Sequence, residues 1–208
     1  MSGSPRRARE HEPVLTGGVE GNSRLTTALA AILLLLFFLE GITLLGVRAH
    51  LSLHVFIGTL LIPVSVVKAG STTWRFAKYY WGTPQYVRKG PPQMILRLLG
   101  PFVVVLTMVV IFSGLFLVVI APTSMHNTLL FIHKASFVLW FCAMSVHVLG
   151  HIVETGREAT ADWVGKKRRE IAGAGLRQFA EIGALALGIG FALWVTPFAT
   201  SAIFPGGN

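Results

Sequence analysis

A single cysteine, Cys142, leaves no intramolecular disulfide, cysteine-ligated cluster or cysteine zinc site available within the chain. Charge is scarce too. Only 13% of the 208 residues are Asp, Glu, Lys or Arg, with 9 acidic against 18 basic. No Gly-rich phosphate loop and no HExxH pattern occurs, which removes the recognisable nucleotide, flavin and zinc-hydrolase sites. No polar stretch is large enough to fold as a soluble domain with its own active site.

What remains is apolar. Hydrophobic residues make up 53% of the chain and the mean hydropathy is +0.65. Five uninterrupted apolar runs, at 25–47, 49–70, 98–120, 127–150 and 177–200, approach or exceed the roughly 20 residues that carry a helix across a bilayer. None shows the alternation of a barrel strand, and helices are the spanning form that satisfies its own backbone. The fold class read from the sequence is therefore all-α: a membrane helical bundle of five transmembrane helices. Residues 1–23, with SGSPRR, EHEP and TGG, read as a disordered cytoplasmic tail, 24–151 as a four-helix bundle, 152–176 as a basic, amphipathic loop, and 177–208 as a fifth transmembrane helix with an outer tail. The polar stretch ahead of the first run is too long for a secretory signal, so the first helix is expected to stay in the mature protein.

The formal charge of +9 points to lipid rather than nucleic acid, because the basic residues are concentrated in alternate connections. Arg6, Arg7, Arg9 and Arg24 precede or open the first run. Lys68, Arg75, Lys78, Arg88, Lys89 and Arg97 surround the second connection, and Lys166, Lys167, Arg168 and Arg169 lie in the fourth. The connections near 48–50 and 121–126, and the tail SAIFPGGN, hold one arginine between them. This alternation predicts a multi-pass plasma-membrane protein with a cytoplasmic N-terminus and an outer C-terminus. In the second connection, Trp74, Tyr79, Tyr80, Trp81 and Tyr86 stand among the basic residues, as in interfacial anchors; a partner-docking or quinone-headgroup surface is the other reading. In the fourth, a short surface helix is expected, with Trp163 toward lipid and the KKRR run toward water.

The stretch HNTLLFIHKASFVLWFCAMSVHVLGH, residues 126–151, carries His126, His133, His147 and His151 in a spanning segment. Histidine inside a span is costly and marks a functional candidate. Fourteen helical residues separate His133 from His147; they rise about 21 Å and end within about 40° of the starting direction, so both rings lie on one face at two depths. Counting inward from the uncharged connections puts His54, His133, Gly41 and Gly114 at one level, about 10 Å deep on four different helices. Fourteen residues further, a second level holds His147, Gly100, Thr27 or Ala28, and Lys68. Histidines ligate a metal from both sides, and glycines let a flat macrocycle approach backbone.

This pattern over residues 25–151 resembles the four-helix membrane cytochromes b, the group containing cytochrome b561-like proteins and the b subunits of quinone-linked dehydrogenases. The resemblance implies b haem held by His54 and His133 at the first level, with Gly41 and Gly114 beside it. It lays out a second haem at His147 and Gly100. There Lys68 stands where the family has histidine, which leaves three outcomes: lysine ligation, an open coordination position, or a lysine that snorkels to the interface. His151 is a fallback ligand. Glu40, beside Gly41, is read as part of a proton path or quinone site, or as a simple interhelical hydrogen bond; His126 is placed to touch a haem propionate or quinone. The implied function is electron transfer between the quinone pool and a partner oxidoreductase on the outer side, a molybdopterin-dependent one among the candidates, in a bacterial membrane. A non-redox transport or accessory protein using its histidines for protons or metal ions is the alternative reading, and a self-sufficient ferric or ascorbate-type reductase also stays open.

Overall fold

The computed structural model describes residues 17–90, 94–119 and 124–203, and among them there is no strand. Seven helices run in order: α1 (Gly18–Thr43, continued by a 3-10 turn at Leu44–Gly46), α2 (Leu51–Tyr80), α3 (Pro84–Lys89), α4 (Met94–Val119), α5 (His126–Glu158), α6 (Gly165–Glu170) and α7 (Ala174–Ile203). The five long ones, α1, α2, α4, α5 and α7, are each long and apolar enough to cross a membrane. The protein is an all-α membrane helical bundle. Large apolar side chains such as Leu45, Phe131, Leu149, Phe179 and Leu187 stand fully outward, an arrangement stable against lipid and unstable against water.

Two boundaries differ from the sequence reading. α1 begins at Gly18 rather than near residue 24, so only residues 1–16 of the expected tail lie outside the described residues. The extra turn is held by contacts invisible in hydropathy: Asn22 Nδ2 donates to the Ser71 carbonyl at 3.3 Å, and Thr26 Oγ1 lies 2.5 Å from Ser71 Oγ. α5 likewise continues to Glu158, which leaves only the six residues of α6 in surface-helix form.

The spanning helices alternate in direction. Around the bundle α1 touches α2, α2 touches α4, α4 touches α5 and α5 touches α1, so α2 and α5 stand on one diagonal and α1 and α4 on the other. α7 packs most extensively on α2 and also meets α4 and α1. It is therefore part of the bundle wall, with α2 the most enclosed span. The α7 seam is Glu181, Ala184, Gly188, Ala192, Val195 and Ala199, all buried at three- and four-residue spacing. A Cβ at Gly188 would sit 2.7 Å from the Leu60 carbonyl oxygen, so only glycine permits this approach of two backbones. Leu29, Leu33, Ile57, Leu61, Val64, Ile111 and Ala184 form the main apolar core.

Candidate functional site

At the first level the structure brings His54 of α2 and His133 of α5 together across the diagonal. Their ring centroids are 6.3 Å apart and their planes nearly perpendicular, at 81°. Each ring is held by its Nδ1. His133 Nδ1 lies 2.9 Å from the Val110 carbonyl, an acceptor, so it carries the proton. Ser113 Oγ donates to the same carbonyl at 3.0 Å and lies 3.2 Å from the ring nitrogen. His54 Nδ1 lies 2.9 Å from Glu40 Oε1 and 2.9 Å from Thr43 Oγ1. The Thr43 hydroxyl gives its proton to the Glu40 carbonyl at 2.6 Å, so it accepts from the ring. Both imidazoles are thereby oriented as Nδ1–H tautomers with the lone pair on Nε2. A carboxylate or backbone carbonyl behind the ring is the usual support of a metal-ligating histidine.

This donor set fits a b haem held between two imidazoles. Two nitrogen–metal bonds of about 2 Å each would set the ring centroids about 6 Å apart, close to the observed separation. Gly114 has a specific role: a Cβ there would meet His133 Cε1 at 2.9 Å, so its absence makes room for the imidazole itself. A Cβ at Gly41 or at Gly100 would meet nothing within 4 Å. Glu40 is not a lone intramembrane carboxyl but the partner of His54; its Oε2 is buried without a hydrogen bond. His126 opens α5, two turns before His133, and is half-buried.

Between the levels sits Trp140, midway along α5 between His133 and His147. Its indole donates to Thr107 Oγ1 at 2.9 Å and its ring packs 4.6 Å from Phe37. At the second level, His147 Nδ1 is buried without a partner, and its ring lies 4.8 Å from that of His151. Lys68 Nζ is turned to α1, 3.5 Å from the Thr26 carbonyl. The two levels thus differ: the first has both rings oriented, whereas the second has one imidazole without a bonded Nδ1 and a lysine bonded elsewhere.

The end of the bundle where the basic residues gather holds a cluster that the sequence reading missed. Asp162, 2% exposed, accepts from Arg177 Nη2 at 2.7 Å and from Arg177 Nε, and lies 3.4 Å from Arg24 Nη1. Burial by itself would raise the Asp162 pKa, but hydrogen bonds and charge from Arg177 and then Arg24 outweigh it and hold the carboxyl below its ordinary 3.8. Arg24 also donates to the Lys167 carbonyl at 2.6 Å and reaches Glu170 at 3.1 Å. Trp163 does not simply face lipid: half its surface is exposed, yet Nε1 donates to Glu181 Oε2 at 2.8 Å. In the second connection basic and aromatic side chains pair, with Lys78 Nζ 4.5 Å over the Trp74 ring and Arg97 Nε donating to Tyr80 at 2.8 Å. The sequence carried little signal for the cluster, since Asp162 stands in the same loop as Glu154, Glu158 and Glu170.

No protein-family model, characterised protein or solved structure matches the chain.

Proposed function

We propose that this protein is a membrane b-type cytochrome, which carries electrons between the quinone pool and a partner oxidoreductase. The observation that supports it most is the pair of intramembrane imidazoles, 6.3 Å apart on diagonal helices, each fixed through Nδ1 with Nε2 left for a metal. When bound there, b haem supplies one-electron carriage that no side chain of this protein offers. The protein's own part is to hold and tune. His54 and His133 would hold the haem, with the Val110 carbonyl and Ser113 fixing one ring and Glu40 and Thr43 the other. The carboxylate behind His54 would raise the basicity of that imidazole toward a bound metal. The apolar wall of Leu, Val, Ile and Phe excludes water and lowers the local dielectric. At the second level His147 is the candidate ligand and Lys68 the candidate opposite it. The basic end is assigned to the cytoplasm, and the first level then lies nearer the outer face, where a partner oxidoreductase, molybdopterin-dependent among other kinds, would dock.

The Glu40–His54 contact favours one further reading, a non-redox protein that moves protons through this pair. A reduced-minus-oxidised spectrum of the purified protein, with a pyridine haemochrome count, separates the two. The cytochrome reading expects at least one b haem per chain, lost in His54→Ala and in His133→Ala. A protein without haem absorbance after expression with ample haem would overturn it.

A further inference from the structure

Beside the basic-end cluster lies a groove with a cavity of about 320 Å³. Its walls are Ala28, Ala31 and Ile32 of α1 and Ile182 and Leu185 of α7, and the 159–163 turn closes one end. Ile182 and Trp163 stand about half-exposed on the outer surface, so the groove opens sideways, where lipid lies. At its polar end is Glu181, 2% exposed. Glu181 Oε2 is held by the Trp163 indole, but Oε1 is buried with no hydrogen-bond partner. A buried oxygen left unpaired costs free energy that a bound hydrogen-bonding group removes.

We propose that this groove binds the ring of a membrane-soluble hydroquinone or quinone, with Glu181 Oε1 as its polar contact and Trp163 beside the ring. The proposal rests on the cytochrome reading for its electron acceptor but not for its binding chemistry. A hydroquinone hydroxyl donates to the ionised carboxylate, and a protonated carboxyl donates to a quinone carbonyl, so one side chain serves both ring forms. The volume is at the lower end for small-molecule sites, which suits one substituted ring whose tail remains among the lipid chains. The ester groups of a phospholipid only accept hydrogen bonds and its phosphate repels a carboxylate, so only an amine or hydroxyl headgroup of a lipid could compete for Glu181 Oε1. None of these residues belongs to the His54–His133 level, so the site is a separate one on the opposite end of the bundle.

The test is photolabelling of the full-length protein in phospholipid nanodiscs with an azido-benzoquinone that carries a short isoprenoid tail, followed by peptide mapping. Label is expected within residues 159–163 or 181–185. Glu181→Leu should cut it about tenfold, the scale of one lost buried hydrogen bond, while Glu181→Gln keeps most of it. Ala31→Phe fills the groove from its apolar wall without touching the polar contacts and should cut labelling as strongly, even if Glu181→Leu proves unstable. Label concentrated elsewhere, or groove label unchanged in Ala31→Phe, overturns the proposal. Haem spectra of the same samples keep the two ideas apart. Groove labelling in a protein without haem defeats the cytochrome reading alone; full haem with insensitive labelling defeats the groove alone.

Discussion

At the residue scale, orientation of the two first-level rings depends on groups of opposite kinds, a side-chain carboxyl for His54 and a backbone carbonyl for His133. Gly114 adds a steric condition. Gly114→Ala puts a methyl 2.9 Å from His133 Cε1, and the Val110 hydrogen bond resists the ring's retreat. On the proposed cytochrome reading the expected outcome is a shifted or partly high-spin haem spectrum, and on any reading a stability loss of about 1–3 kcal/mol by detergent melting. An unaltered spectrum would mean that the ring moves freely. Asp162 carries a pH dependence. Its folded pKa lies below its unfolded value, so its contribution is complete above the ordinary 3.8 and is lost as pH falls below that toward the folded value. Asp162→Asn should therefore destabilise by about 3–5 kcal/mol at pH 7, the cost of leaving buried arginines without their carboxylate. The gap from wild type should narrow as melts are repeated at pH values below 3.8. A constant gap would show that charge is not what Asp162 contributes. The shared depth of His54 and His133 was legible in the sequence because helical rise is constant and each count starts from a membrane face. Of their Nδ1 partners, Glu40 stood out as a carboxyl in a span, whereas Val110 acts through its carbonyl, which its side chain does not advertise, and Thr43 has an ordinary place in an apolar run.

At the element scale, the five spans were legible because lipid demands long apolar helices regardless of packing. Helix ends were less so. α1 and α5 run on where polar side chains find partners on neighbouring helices, and hydropathy carries no trace of such pairing. The histidine and glycine levels on four helices set α7 apart as a fifth span, and its seam of small residues closes directly on α2. That seam was visible as Ala184, Gly188 and Ala192, four residues apart, but nothing in the spacing names its partner. Gly188→Leu should break the approach to the Leu60 carbonyl and lower stability by about 1–3 kcal/mol or more. Gly190→Leu, where a Cβ meets nothing within 4 Å, is the matched control and should melt like the wild type. Equal effects at both positions would dismiss the seam as the reason.

At the scale of the whole molecule, alternating helix directions gather α3, α6 and most of the basic residues at one end and leave the short α1–α2 turn at the other. The positive-inside rule turns this polarity into an orientation. In a Cys142→Ser background, cysteine placed at Ser201 should react with a membrane-impermeant reagent in intact cells, and cysteine at Ser4 should react only after permeabilisation. The reverse pattern would invert the bundle and with it the side on which each histidine level lies. The Arg24–Asp162–Arg177 cluster has a further consequence, for how the chain is made. Arg24 leaves the ribosome 138 residues before Asp162 and earlier still than Arg177. Through the synthesis of four spans the first helix therefore carries an arginine whose final counter-ion has not yet been translated. α1 and α7 touch directly, and the loop before α7 adds a charged latch to that contact, one that forms only after Asp162 and Arg177 are made. Nascent chains arrested before α7 should have an α1 end open to protease, and chains arrested after it should be closed. Protection already present before Asp162 emerges would show that the latch follows assembly rather than commits it.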